Sequence, residues 1–396
     1  MPDVFIASAV RTPIGKFGGA LKSHSPADLA AVAMQGALTA AGIDGSDLDL
    51  YIFGNVLRAG HGQLIPRQAA FKIGIPAEVD GLQIDMVCSS GMMSLMQASA
   101  MIRAGDADVV LAGGVENMSN TGFFLSSRAR WGYKLLVGKP ENVTDLLLYD
   151  GLTDPMSGEA MGVQTERLAA EHKISREDLD EIAAASHQRA ASAWESGLFE
   201  SETIAVEYKE RRKSLMLEQD EGIRGDSTVE SLSGLKPAFS TDGVLTAGNS
   251  SQISDGAAAL VLASAAAVER LGLKPIARLS SGSWSAGEPW RFAEAPLPAV
   301  KKILDRSNLS IADFDLFENN EAFAINSILF NRMLDVPYDR LNVHGGAIAL
   351  GHPIGCSGAR IVVTLLHALQ NRDGHNGLAA ICHGTGGGTA VSVERL

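Results

Sequence analysis

Cysteine is scarce. The 396 residues contain three, at positions 88, 356 and 382, too few for a disulfide framework and in no C-x-x-C spacing that would hold zinc. Basic residues are the minority: 33 Lys and Arg against 46 Asp and Glu leave a net charge of −13. With no overall basic footprint, binding to duplex nucleic acid is not expected. An anionic small molecule is still open to such a chain, because a few local cations and backbone N–H groups can hold one. No apolar run reaches 18 residues without a charge, so no membrane span is expected. The apolar stretch starting at Val4 breaks at Arg11, too short for a signal-peptide core, and Glu394-Arg395-Leu396 is not a peroxisomal address. The expected location is the cytoplasm. Proline is sparse at 14 residues against 42 glycines, with no G-x-y period. That excludes collagen and low-complexity classes and fits a fold with tight turns and close backbone approaches.

What is present is core material. Hydrophobic residues make up 46% and charged residues 20% of the chain, which excludes a mainly disordered protein. DVFIASAV (3–10), LDLYIFGNV (48–56) and DADVVLAGG (106–114) read as strands. SPADLAAVAMQGALTAAG (25–42) reads as a helix capped by Ser25, with Pro26 at its first position and Gly42 as its stop. Strands separated by helices imply parallel α/β units. The layout then repeats. PADLAAV…DGSDLDL (26–50) matches PAVKKIL…IADFDL (298–316), and CSSGMMSLMQASAMIRAGDADVVLAGG (88–114) matches GCSGARIVVTLLHALQNRDGHNGLAAICHGTGGG (355–388). Neither 92–102 nor 359–369 has a clean polar face, so both predict helices buried on all sides. Two such helices, one per repeat, between two sheets predict a five-layer α-β-α-β-α fold. Residues 123–247 carry most of the charge clusters, with an amphipathic helix pair at 163–196, and read as an inserted loop domain. The expected boundaries are 1–122 plus 248–275 for the first repeat, 123–247 for the insertion and 276–396 for the second repeat.

Five positions invite chemistry. Cys88 follows an apolar strand and precedes the first buried helix, where the helix dipole and free N–H groups favour a thiolate. It reads as a nucleophile or as a small core residue. His352, in GGAIALGHPIGCSG (345–358), reads as the base for Cys88 or as a turn histidine bonded to backbone. Cys382 ends an apolar strand before a glycine-rich loop, across the pseudo-symmetry axis from Cys88, and can act as acid or base at a carbon centre. The loop glycines, Gly384 among them, offer N–H groups to an oxyanion. A dinucleotide fingerprint is excluded for GTGGG (384–388), since only eight residues follow and no helix fits. Asn320, in ENNEAFA (318–324), can donate to an oxyanion, orient a water, or cap the helix that follows.

VCSSG, NEAFA, GGAIALGHPIG-x-SG and the terminal C-x-G-x-G loop, in this order, resemble the thiolases. The likeness extends through RTPIGKFGG (11–19), AGGVENMS (112–119), MGVQTERLA (161–169), RGDSTVESL…LKPAF (224–239) and TAGNSSQISDGAAA (246–259), so it covers essentially the whole chain. The resemblance implies a thiolase-type fold and reversible, non-decarboxylative condensation of two acetyl-CoA to acetoacetyl-CoA and CoA. It implies that Cys88 is acylated, His352 activates it, and Cys382 moves the proton of the second acetyl-CoA. Asn320 would hold a water that stabilises the enolate with His352, and the N–H groups of Cys88 and Gly384 would form the oxyanion hole. Coenzyme A thioester is then substrate, with no cofactor and no metal. Arg224 and Ser231 would flank its adenine and phosphates, Leu152 would pack on the ring, and Ser251 and Met161 would line the pantetheine and acyl end. Phe323 and Met161 would narrow the acyl pocket. A homo-oligomer, dimer or tetramer, is implied as well. The chain departs from the pattern at Ala160, where many short-chain thiolases have histidine, and at Cys356, His383 and Thr385. A degradative 3-oxoacyl-CoA thiolase acting on longer chains is the near alternative. A ketoacyl-synthase-type enzyme is disfavoured by Cys382, and a non-enzymatic lipid carrier by the presence of both Cys88 and His352.

Overall fold

The computed structural model describes residues 2–133 and 141–396; residues 134–140, within the expected insertion, lie outside the described residues. The principal strands are β1 (Val4–Arg11), β2 (Leu50–Gly54), β3 (Asp80–Ile84), β4 (Val109–Asn117), β5 (Ser254–Ser264), β6 (Ala277–Ala286), β7 (Leu316–Asn319), β8 (Asn376–His383) and β9 (Gly387–Arg395). The principal helices are α1 (Pro26–Ala41), α2 (Ser90–Ala104), α3 (Met161–Glu171), α4 (Arg176–Glu195), α5 (Pro296–Ser307), α6 (Ala324–Leu334) and α7 (Ile354–Asn371).

The strands run in the order β7-β8-β9-β6-β1-β5-β4-β2-β3. Two similar sheets meet where β1 and β6 pair antiparallel at Phe5–Arg278 and Ile6–Ala277, so the two expected sheets form one hydrogen-bonded path. In the first half β2 runs parallel to β3 and β4, while β5 is antiparallel to both β4 and β1. In the second half β7 runs parallel to β8, and β9 is antiparallel to β8 and β6. The counterpart of β3 shrinks there to one parallel bridge, Phe317–Leu341. The excursion from residue 118 to 253 leaves the sheet, and β5 returns the chain to the first half.

Local chemistry explains the elements that read most clearly. α1 starts at a capping box in which the Ser25 side chain accepts from Asp28 N–H and the Asp28 side chain accepts from Ser25 N–H. It stops at Gly42, whose φ of 71° is left-handed. α4 opens on an equivalent box from Ser175 and Asp178. In α7 every residue from Ile354 to Leu369 is buried; each such aliphatic side chain contributes about 1.5–3 kcal/mol of burial. α2, its partner in the central layer, departs from the expectation. Gln97, Ala100 and Ala104 are exposed, and their spacing of three and four residues lays them on one stripe, so one side of α2 stays open. Between these helices the backbones nearly touch. A Cβ on Gly114 of β4 would lie 2.2 Å from Gly355 O, and one on Gly91 would lie 2.8 Å from Ala359 N.

Candidate active site

Cys88 lies in the turn from β3 into α2, and the turn is held from several sides. Val87 has φ +48°, a left-handed conformation that a β-branched residue adopts only when its surroundings force it. Ser90 supplies part of that force: its Oγ accepts Met86 N–H at 2.8 Å and donates to Val87 O at 2.5 Å. Asp85 Oδ1 accepts Val87 N–H at 3.1 Å. The backbone amides of Gly384 and of Cys88 itself favour the charged form of the Cys88 sulfur. The pull of the helix start towards a thiolate is opposed at this half-buried thiol. Burial pushes the thiol up to about 12, with Glu116 and Asp85 adding to it and the two N–H donors opposing. Lost hydration outweighs the dipole here.

His352 is buried at the entrance to α7. Its Nδ1 lies 2.6 Å from Ser357 Oγ, and that hydroxyl donates to Pro353 O at 3.0 Å. With its one proton committed, Ser357 Oγ accepts from Nδ1–H. The hydrogen-bond network thus assigns the tautomer with the acceptor lone pair on Nε2, to which Asn320 Nδ2 donates at 3.4 Å. Burial first, and then the positive charge of Arg360, hold the imidazole down to about 3. It is therefore neutral near pH 7, a base awaiting a proton.

Asn320 follows β7, and its N–H donates to Ala380 O at 3.0 Å, tying it beside β8. Its Oδ1 is buried without a protein partner. The expected cap on the next helix falls elsewhere. α6 begins at Ala324 with Phe323 as its cap residue, and the Asn326 side chain accepts Phe323 N–H at 2.9 Å. Asn320 is thus left free of capping. Cys382 is 1% exposed. Burial and then Cys88 push its thiol up, against the Asn326 Nδ2 donor at 3.4 Å and its own backbone amide. His383 Nδ1 sits 2.6 Å from Gly384 O, and Thr385 takes φ +68°, so both departures in this loop help to shape the turn at Gly384. Cys356 is buried among the aliphatic side chains of the central layer.

Two cavities share Met161 and Thr153. One, of about 710 Å³, is lined by His352, Phe323, Met161, Leu152, Arg224 and Ser251, with Ala160 beside Met161. The other, of about 980 Å³, is lined by Val87, Gly384, Thr385 and Met161. Ser251 is set by its N–H bond to Ala322 O at 3.0 Å, and Arg224 N–H donates to His187 Nδ1 at 3.2 Å. Ser231 stands apart: it is exposed, lines neither cavity, and its Oγ serves a capping box with Thr228.

The model of the thiolase N-terminal domain matches residues 4–266, and that of the thiolase C-terminal domain matches residues 273–395. The chain belongs to the thiolase family. An acetyl-CoA acetyltransferase of Synechocystis sp. is 63% identical over 396 residues, covering 100% of both chains. The crystal structure of the Bacillus anthracis acetyl-CoA acetyltransferase superposes with a TM-score of 0.96 at 41% identity, covering 100% of this chain and 99% of that one. The Acat5 thiolase of Ascaris suum, solved in complex with coenzyme A, gives 0.93 at 39% identity, covering 100% of both chains.

Sequence reasoning missed three residues in this thiolase. Ser357 fixes the His352 tautomer; its place in the first turn after His-Pro was the available signal. Asn326 contacts Cys382, and nothing in NEAFAIN marks it. Glu116 Oε2 accepts Val56 N–H and Gly355 N–H, each at 3.0 Å, while Oε1 accepts Leu57 N–H at 3.1 Å and Asn55 Nδ2 at 2.8 Å. One carboxylate therefore clamps the loop after β2 to the start of α7. A buried acid next to the last residue of β4 gives no sign of this in the sequence.

Proposed function

We propose that this thiolase condenses two acetyl-CoA to acetoacetyl-CoA and CoA, reversibly and in ping-pong order, with Cys88 carrying the acetyl group. The observation that carries the reading is that Val87, next to Cys88, and Gly384, from the terminal loop, line one cavity with Met161, where the backbone amides of Gly384 and Cys88 favour the charged form of the Cys88 sulfur. A neutral His352 and a second thiol come from the opposite repeat. The proton count closes. Cys88 gives its proton to His352 Nε2 and attacks the thioester carbonyl, breaking the bond to CoA. The departing CoA thiolate takes the Cys382 proton. Cys382 thiolate then removes a methyl proton from the second acetyl-CoA, the enolate attacks the acyl-Cys88 carbonyl, and the carbon–sulfur bond breaks. His352 returns its proton to Cys88. Asn320, whose Oδ1 is unpartnered, would hold a water that steadies the enolate oxygen with His352. A thioester already has an acidified α-carbon and a good leaving group, so this route calls on no metal or prosthetic group.

Coenzyme A would lie along the cavity beside Arg224, Leu152 and Ser251, and Phe323 and Met161 would favour a short acyl group. The apolar lining that Leu148, Leu152 and Phe239 add supports a second reading, thiolysis of longer 3-oxoacyl-CoA. Relative thiolysis rates on acetoacetyl-CoA and a long-chain 3-oxoacyl-CoA separate the two; faster turnover of the long chain contradicts the short-chain assignment. We assign the enzyme to lipid metabolism in the cytoplasm, as a homotetramer, with domain limits at 1–122 plus 248–275, 123–247 and 276–396. No helix among the described residues is long and apolar enough to cross a membrane. The side chains of Phe123, Trp131, Val143 and Tyr149 stand exposed on the excursion, where a partner subunit would cover them.

Cys382→Ser tests the division of labour. It is expected to form the acetyl-enzyme, because CoA is a good enough leaving group to depart as its thiolate without the Cys382 proton, and to fail at the carbon–carbon step. Loss of acylation as well contradicts the roles given to the two thiols.

A further inference from the structure

We infer that Asn326 is the positioning residue that readies Cys382 for proton transfer, an inference that rests on the reading of Cys382 given above. Asn326 is 1% exposed in the first turn of α6. Its amide cannot flip without cost. Oδ1 accepts Phe323 N–H at 2.9 Å, so Nδ2 must face the sulfur, which it meets at 3.4 Å. The turn is fixed further by Asn319 Nδ2, which donates to Asn326 O at 2.9 Å. Asn319 is itself held, since its N–H donates to Asn342 Oδ1 at 2.9 Å.

This geometry suits a base that must be a thiolate for one step and a thiol at rest. An amide N–H donates to sulfur and takes no proton from it, so it favours the charged form without competing for the substrate's proton. The titratable group that acts on Cys382 is Cys88, which carries no charge once acylated. At that stage the Asn326 donor is opposed by burial alone. Through Oδ1 the same side chain holds the backbone of Phe323, which lines the substrate cavity. One amide therefore couples the cavity wall to the proton-transferring thiol.

Asn326→Asp is the discriminating variant, because its carboxylate still accepts Phe323 N–H but presents an acceptor to the sulfur. Three rates are measured on the full-length enzyme: acetylation of Cys88 by acetyl-CoA, condensation, and alkylation of Cys382 by iodoacetamide in a Cys88→Ser background. Acetylation should stay within about twofold, whereas condensation and alkylation should both fall by roughly tenfold to a hundredfold, the range of a lost hydrogen bond to a charged group. Unchanged condensation, or a proportional fall in acetylation and condensation, overturns the role. If Asn326→Asp lacks a cooperative melt, Asn326→Ser, which is too short to reach both partners, decides by the same criterion. The Cys382→Ser result separates the two claims. If that variant is silent in condensation while Asn326→Asp is unaffected, only the role of Asn326 fails. If Cys382→Ser condenses at the full rate, the reading of Cys382 fails and this inference fails with it.

Discussion

His352 does its work through what surrounds one ring. Ser357 holds Nδ1, Asn320 stands by Nε2, and burial with Arg360 keeps the ring neutral. Ser357→Ala removes the partner that selects the tautomer. Acetylation of Cys88 should slow by roughly tenfold, while the urea midpoint shifts by no more than a hydrogen bond of about 1 kcal/mol. Stopped-flow release of CoA and a denaturation curve measure the two effects, and equal acetylation rates would contradict the assigned tautomer. The same contrast marks what the sequence could disclose about the site. Cys88, His352 and Cys382 stand in motifs whose glycines and small residues betray crowding around a side chain. Asn326 and Glu116 act through contacts made only after folding, from positions with no local signature, and Ser357 offers only its place in the first turn after His-Pro. The desolvation that opposes the Cys88 thiolate was hidden for a related reason. A helix start is visible in a sequence, but the desolvation that opposes it is not.

At the scale of elements, the packing of α2 against α7 sets the site, because each helix carries a chemical group at or just before its first turn. Their approach depends on glycine backbones. Gly114→Ala would put a methyl group 2.2 Å from Gly355 O and push α7 away from β4. A destabilisation of about 2 kcal/mol or more is expected, seen as a lower urea midpoint with an unchanged slope; an unaltered midpoint would show that the layer can relax. Legibility also varied by element. α1 carries its cap, its proline and its glycine stop between Ser25 and Gly42, and its limits were readable. β3, DGLQI, has no alternation and is half polar, and β6, ARLSSGSWSA, is rich in serine; both owe their strand state to neighbouring strands. The open stripe on α2 escaped notice because Gln97 interrupts an otherwise apolar run only once.

Across the whole molecule, the duplication was readable from two internal matches. Its closure into one hydrogen-bonded path through Phe5 and Ile6 was not, since a two-residue junction leaves no pattern. Buried titratable groups spread through both repeats and link stability to pH. Burial and Arg224 hold His187 down to about 4, below the ordinary value of an unfolded histidine. Its contribution to stability is complete above about pH 6.5 and is lost as the pH falls towards 4, because the unfolded chain takes up the proton first. Glu318 and Glu116, raised to about 8 by burial, act in the opposite sense. The comparison must therefore be between variants. His187→Gln should lose less stability between pH 7 and pH 5 than the parent enzyme, as read from urea midpoints at the two pH values. A parallel loss in both proteins would remove His187 from the linkage.

The most direct measurement is peptide mass mapping of the full-length enzyme after exposure to acetyl-CoA alone and rapid acid quenching. One acetyl group per chain, on the peptide that contains Cys88, is the expected result. An acetyl group on Cys382 or Cys356 instead, or no covalent adduct under conditions of active turnover, would contradict the account.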